Sequence, residues 1–266
     1  MIRGMPIEAV LDHIAVAAEH MSDLWPRYIG ELGGRWFDGA ESAGFAWDQI
    51  AFANGMRLEV LEPRRVEDND FLRRFLDRSG PSAHHLTFIV PDLTTALARM
   101  KRAGYPAVNV DLTNPSWREA FILPRLASGI VVQLADSDRG PQPPPMPDDR
   151  PAPGTDRADL IRIVHLVADL AAARRFFVDL LGGDLTAEGD GFVEVAWSAP
   201  GRLRLVQPAP GTDTAEILGA RPGRLHHLEL ELDDPSAVTD AHPLDHARFA
   251  VAPADNHGVG LLLLSR

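Results

Sequence analysis

A stretch with the same spacing of histidine, apolar residues and aspartate occurs twice in this chain. In the first copy, Pro81 to Leu93, an apolar run connects His85 to Asp92. In the second copy His227 stands seven residues before Asp234, as His85 stands before Asp92. Each copy predicts a buried strand that leads into a helix capped by the aspartate. A repeated strand-to-helix unit indicates an internal duplication, which organises the rest of the chain.

The elements predicted around both stretches follow the order strand, helix and three strands. Val10 to Ala17 is predicted as a strand and Ala18 to Leu32 as an amphipathic helix closed by glycines. Three strands follow, and Asn54-Gly55 between the last two is typical of a two-residue hairpin turn. The same βαβββ order recurs from His84 to Ala135, with a helix from Leu93 to about Ala103, and two related modules follow residue 158. The predicted fold class is therefore α+β, with four βαβββ modules in two pairs.

A proline-rich segment separates the two pairs of modules. Residues 136–156 contain seven prolines, a composition that favours extended chain over packed structure. The predicted organisation is a first domain over residues 1–138, a linker over residues 139–157 and a second domain over residues 158–266.

The composition excludes several classes of function. The chain has 266 residues, of which 45% are hydrophobic, and a formal net charge of -12, which argues against binding to nucleic acid or anionic membranes. It contains no cysteine, so disulfides, thiolate metal sites and a cysteine nucleophile are excluded. The N-terminus lacks the apolar core of a signal peptide, and no apolar run approaches the roughly 20 residues that span a bilayer. We expect a cytoplasmic protein with a small-molecule substrate, as a monomer or homodimer.

Four polar residues recur at equivalent strand positions of the first pair: His13, Glu59, His85 and Gln133. Their large apolar neighbours point to the opposite face, because side chains alternate across a strand. The four groups could converge if the sheet curls, and such donors suit Zn, Fe, Ni, Co or Mn better than Ca or Mg. A single His or Glu in a strand is usually solvated or hydrogen-bonded in a core. Burying Glu59 without a cation is costly, however, so the joint placement favours a metal site.

The motifs around these residues resemble those of the vicinal oxygen chelate superfamily, and most closely those of methylmalonyl-CoA epimerases and glyoxalase-I-like proteins. The resemblance covers residues 10–136 and is carried by Leu11-Asp-His-Ile-Ala-Val-Ala, Leu58-Glu-Val-Leu-Glu-Pro63, His84-His-Leu-Thr-Phe-Ile-Val-Pro-Asp92 and Gly129-Ile-Val-Val-Gln-Leu134. It implies that paired modules form cup-shaped mixed sheets with helices outside. It also implies that His13, Glu59, His85 and Gln133 hold a divalent metal, which the substrate chelates through neighbouring oxygens.

One position departs from the family pattern. The last strand usually carries a glutamate that binds the metal and moves a proton, whereas Gln133 can offer an amide oxygen but cannot act as a base. The remaining candidates for a general base are Glu59, acting by leaving the metal, and Asp48 on the neighbouring strand.

The second pair of modules departs further. Alignment on the first pair places Arg162 where His13 stands, Arg204 where Glu59 stands and Leu262 where Gln133 stands, and His227 alone keeps a potential ligand. Guanidinium groups cannot coordinate a cation, so this pair is predicted to be free of metal. The two arginines either capture an anionic group or pair with acidic neighbours.

Three functions follow as hypotheses. The first is a metal-dependent lyase or isomerase that acts on a small carbonyl compound, a thioester or 2-oxo acid, through a metal-stabilised enolate. The second is an Fe(II) extradiol-type ring-cleaving dioxygenase, since two histidines and one carboxylate are the ligands of non-haem iron oxygenases. The third is a non-catalytic binding protein of the antibiotic-sequestering kind, with an apolar cleft lined by Trp36, Trp47, Trp117 and Phe121.

Overall fold

The computed structural model describes residues 6–137 and 146–266, whose strands form two eight-stranded sheets. The first sheet contains β1 (Val10–Ala17), β2 (Arg35–Ser42), β3 (Phe45–Ala51), β4 (Arg57–Pro63), β5 (Ser82–Ile89), β6 (Val108–Asp111), β7 (Arg118–Ile122) and β8 (Val131–Asp136). The second contains β9 (Asp159–Val167), β10 (Asp184–Gly189), β11 (Phe192–Ala196), β12 (Arg202–Val206), β13 (Gly223–Leu232), β14 (His242–Pro243), β15 (Arg248–Val251) and β16 (Gly260–Ser265).

The two sheets have the same topology. The strand order is β2-β3-β4-β1-β5-β8-β7-β6 in the first and β10-β11-β12-β9-β13-β16-β15-β14 in the second. In the first sheet, β1 runs parallel to β4 and β5 parallel to β8, while β2-β3-β4 and β6-β7-β8 are antiparallel. Both sheets are therefore mixed and curled, and the predicted tandem βαβββ modules are confirmed.

The helices follow the sequence prediction in part. The α-helices are α1 (Phe71–Ser79), α2 (Leu93–Arg102), α3 (Leu170–Arg174) and α4 (Asp213–Leu218). The carboxylate of Asp92 caps α2 by accepting from the Thr95 amide at 2.7 Å, as predicted. The predicted helix over Ala18–Leu32 is instead a short 3-10 turn, Met21–Asp23, followed by a π-helical segment, Pro26–Glu31. Proline lacks an amide hydrogen, so a continuous α-helix is interrupted there.

One α-helix and two strands were missed by the sequence interpretation. They are α4 and the edge strands β10 and β14, which are short or largely exposed and therefore lack a strong apolar periodicity. A second π-helical segment, Arg175–Leu180, follows α3 directly.

The chain divides into two compact units. Of the described residues, one unit contains residues 6–12, 85–137 and 163–225, and the other contains residues 13–84, 146–162 and 226–266. The first unit has an aromatic core in which the ring of Phe88 lies 4.9 Å from that of Trp197, and the Phe176 and Phe177 rings lie 5.0 Å apart. In the second unit the buried Asn256 amide donates to the Tyr28 hydroxyl at 2.9 Å.

The later part of the predicted linker is packed rather than extended. The Gly154 amide donates to the Ile29 carbonyl, and the Ala158 amide donates to the Leu32 carbonyl, both at 3.0 Å. A Cβ atom at Gly154 would lie 2.0 Å from the Gly30 carbonyl oxygen, so this close approach requires glycine. Backbone hydrogen bonds thus hold residues 154–158 against the first module. Pro141, Pro143, Pro144 and Pro145 of the predicted linker lie outside the described residues.

Candidate metal centre

His13 and Glu59 lie on the parallel strands β1 and β4. The His13 Nε2 atom is 3.5 Å from Glu59 Oε2, and both residues are buried, with 0% and 8% exposure. Their neighbours Ile14 and Leu58 are fully buried on the opposite face, as strand alternation requires. A histidine and a carboxylate are thus placed side by side on what we term the polar face of the first sheet.

His85 on β5 completes a group of three. One ligand atom each from His13, Glu59 and His85 lies within 4.8 Å of the others. His85 is 4% exposed, and its ring packs edge-on against the Phe121 ring, with the two ring centroids 6.4 Å apart. Two imidazole nitrogens and one carboxylate oxygen fit a divalent transition-metal ion. Among residues 6–137 and 146–266, no other group of three His or acidic residues has this geometry.

Gln49 on β3 contacts two members of this group and was not singled out from the sequence. Its Nε2 atom lies 3.4 Å from His13 Nδ1 and donates to Glu59 Oε1 at 3.3 Å. Arg57 donates to Gln49 Oε1 at 3.0 Å, which turns the amide nitrogen towards Glu59. The predicted two-residue turn at Asn54-Gly55 is wrong and would put Gln49 opposite Val60. The loop has three residues, 53–55, because the Phe52 amide donates to the Met56 carbonyl, and this shifts the register by one and puts Gln49 opposite Glu59.

Gln133 on β8, the fourth predicted ligand, is hydrogen-bonded at both ends of its amide. Thr87 Oγ1 donates to Gln133 Oε1 at 2.5 Å, and Gln133 Nε2 donates to Glu119 Oε2 at 2.6 Å. The same carboxylate oxygen accepts from Trp117 Nε1 at 2.8 Å. Glu119 on β7 was also missed from the sequence. It is two residues from Phe121, which pairs with Gln133, so the strand register would have found it.

Asp48, the second predicted base, is not brought to the group. It is 1% exposed, and its carboxylate accepts from Trp36 Nε1 at 3.0 Å and from Arg150 Nη2 at 2.9 Å. Because Asp48 adjoins Gln49 on β3, its side chain points to the face opposite the polar face. Arg150 comes from the segment predicted as linker, and its guanidinium also stacks on the ring of Trp25 at 4.3 Å.

The two histidines of the first repeat have different environments. His84, next to His85, packs against the rings of Phe71 and Phe75, with ring centroids 5.9 and 4.8 Å away. Burial lowers the pKa of His84 to about 4, although the Glu59 carboxylate opposes the shift. His84 is therefore neutral at physiological pH and serves as an aromatic packing group.

In the second sheet the two arginines have acidic partners. Arg162 pairs with Glu229, and the guanidinium of Arg204 donates twice to Glu194 Oε2, at 2.7 and 3.1 Å. His227, the residue equivalent to His85, lies 3.4 Å from Glu229. The second sheet thus has ion pairs at the positions that correspond to His13 and Glu59.

Comparison with known proteins supports the fold. Residues 12–121 match the family model described as Glyoxalase/Bleomycin resistance protein/Dioxygenase superfamily, which confirms the resemblance that the motifs of that segment indicate. No curated protein matches the chain. The matched segment is less than half of the chain.

Three solved structures illustrate this similarity. A mutant of 4-hydroxymandelate synthase from Streptomyces coelicolor is 14% identical over 98% of this chain and 94% of that chain, with a TM-score of 0.63. A hypothetical protein from Staphylococcus aureus is 10% identical over 97% of this chain and 100% of that chain, with a TM-score of 0.61. Methylmalonyl-CoA epimerase from Mycobacterium tuberculosis is 21% identical over 52% of this chain and 94% of that chain, with a TM-score of 0.45. The first two similarities show the fold alone.

A membrane-spanning helix is not found in the described part of the chain.

Proposed function

We propose that the protein is a metal-dependent lyase or isomerase that acts on a small carbonyl compound, a thioester or 2-oxo acid, in the cytoplasm. The observation that carries this proposal is the buried group of His13, Glu59 and His85, whose ligand atoms lie within 4.8 Å of one another. A divalent ion held by these residues would polarise a substrate carbonyl and stabilise negative charge on its oxygen.

Different residues of the group would bind the ion and accept a proton from the substrate. His13 and His85 would supply nitrogen ligands, and Gln133 would supply an amide oxygen. Glu59 is the carboxylate best placed to accept a proton, because Gln49 holds its Oε1 atom while Oε2 faces His13. A general base needs a carboxylate within reach of the reacting carbon, a role that Gln133 cannot fill and for which Asp48 faces the wrong side of the sheet.

A second candidate is an Fe(II) ring-cleaving dioxygenase. It is favoured by the composition of the same group, since two histidines and one carboxylate are the ligands of non-haem iron oxygenases. Oxygen consumption with a panel of catechols separates this candidate from a lyase or isomerase, which consumes no oxygen.

The test begins with elemental analysis of untagged protein purified without chelator, alongside His13→Ala and His85→Ala. We expect about one equivalent of a transition metal in the wild type and loss of metal in both variants. The metal-loaded protein is then incubated in D₂O with small 2-oxo acids and thioesters. Exchange of the proton next to the carbonyl, followed by NMR, is the expected activity, and Glu59→Gln should abolish it.

His246→Ala provides a matched control, because His246 is an exposed histidine outside the group. This control should keep both the metal and the exchange activity. If untagged wild-type protein neither contains nor binds a transition metal, the enzyme proposal is wrong, and a metal-free binding protein becomes the better description.

A further inference from the structure

The second module carries a short chain of hydrogen bonds that begins beside His85 and runs across three strands. It passes from Thr87 on β5 through Gln133 on β8 to Glu119 on β7, with contacts of 2.5 and 2.6 Å. We infer that Glu119 is a positioning residue, which fixes the amide of Gln133 so that its oxygen is presented on the side of His85. This inference rests on the proposed metal centre.

The strand register puts all of these side chains on one face. Thr87 is the partner of Gln133 across β5 and β8, and Glu119 is the partner of Ala135 across β7 and β8. Ala135 lies two residues beyond Gln133 on the same face. Its small side chain leaves space for the Glu119 carboxylate to reach the side-chain amide of Gln133. The residues between them on the other face, including Leu134, are fully buried in the apolar core.

The chemistry of the groups then decides which way the amide points. An ionised carboxylate only accepts hydrogen bonds, so the atom of Gln133 that meets Glu119 must be the NH₂ group. The carbonyl oxygen is forced to the other side, where Thr87 donates to it. An amide oxygen has two acceptor positions, so a cation can bind it alongside the Thr87 hydroxyl, whereas the amide nitrogen is not a metal ligand.

Two further observations support this role for Glu119. Trp117 Nε1, which is a donor only, holds the same carboxylate oxygen at 2.8 Å and so fixes the group that fixes Gln133. In addition, a glutamate at position 133 would face Glu119 at hydrogen-bond distance, and two such carboxylates repel. The glutamine at position 133, where the family usually has glutamate, therefore fits the Glu119 carboxylate on the adjacent strand.

The experiment measures Zn²⁺ affinity of the untagged full chain by competition with a chromophoric chelator. Glu119→Gln removes the acceptor-only character of the side chain, so either end of the Gln133 amide can then face it. We expect about a tenfold loss of Zn²⁺ affinity, the size found when ligand-orienting partners are removed. Glu119→Asp keeps the charge but withdraws it from the amide, and we expect a similar loss.

A double-mutant cycle separates positioning from general electrostatics. If Glu119 acts through Gln133, Glu119→Gln should cause no further loss of affinity in a Gln133→Ala background. A control variant, Glu41→Gln, removes an exposed carboxylate of β2 that pairs with Arg65, and it should leave Zn²⁺ affinity unchanged. The melting temperature of each variant shows that the fold is retained.

The outcomes distinguish the two levels of the proposal. Wild-type protein that binds no Zn²⁺ overturns the proposed function and this inference together. Wild-type protein that binds Zn²⁺ while Glu119→Gln and Glu119→Asp bind it equally well overturns the inference alone. A tenfold loss that persists in the Gln133→Ala background also overturns it, because Glu119 would then act through its charge and not through the amide.

Discussion

Acid should destabilise this protein through His165, a buried histidine that has no role at the candidate site. His165 is 1% exposed on β9, and its Nε2 atom lies 2.8 Å from the Ser128 carbonyl oxygen, to which it donates in the neutral form. Its Nδ1 atom has no hydrogen-bond partner among the described residues. Burial lowers the pKa of His165 to about 4, because protonation would place a charge and an unpaired donor in the core.

The magnitude follows from linkage between protonation and folding. The unfolded chain binds this proton with a pKa near 6.5, so above pH 6.5 neither state takes it up and the free energy of unfolding has its full value. Below that pH the unfolded chain becomes protonated first, and the free energy of unfolding decreases as the pH falls towards the folded-state pKa of about 4. With about 1.36 kcal/mol per pKa unit, His165 should cost about 2 kcal/mol of unfolding free energy by pH 5 and about 3 kcal/mol by pH 4.

Urea unfolding of the wild type and His165→Gln between pH 7 and pH 4 tests this. Glutamine can donate to the Ser128 carbonyl but does not titrate, so carboxylates and His84 contribute equally to both proteins. The difference in unfolding free energy should therefore move by about 3 kcal/mol in favour of the variant as the pH falls. A difference that stays constant with pH would refute the assignment of a neutral, buried His165.

Two other predictions concern close packing. Arg150→Ala leaves the buried Asp48 carboxylate without its cation and should lower the free energy of unfolding, measured in urea, by about 3 kcal/mol or more. Adding Asp48→Asn to this variant should recover part of the loss. A loss below about 1 kcal/mol would mean that the two residues behave as a surface ion pair. Gly129→Ala should lower the free energy of unfolding by about 2 kcal/mol more than Gly55→Ala. Both glycines have φ of +88°, but only a Cβ atom at position 129 would meet backbone, 2.2 Å from the Gly223 nitrogen. Equal melting temperatures of the two variants would contradict this prediction.

The parts of the site that the sequence predicted are those with a local signal. His13, Glu59 and His85 each stand in an apolar strand, where alternation alone decides which face they occupy. Gln49 and Glu119 also lie in strands, but their relevance depends on the residue opposite them in the next strand. The two-residue turn predicted at Asn54-Gly55 gives the wrong register for Gln49, because the loop that forms there has three residues and shifts the pairing by one.

Periodicity and neighbours a few residues apart were enough to predict the repeated modules, the strand faces and the cap of α2. The role of Asp48, in contrast, depends on a contact between residues far apart in the chain. Its partner Arg150 is 102 residues away in a proline-rich segment, and no periodic pattern links the two. The tertiary structure also decided that the arginines of the second sheet pair with Glu229 and Glu194. Such pairings depend on which strands become neighbours, and local propensity does not encode that.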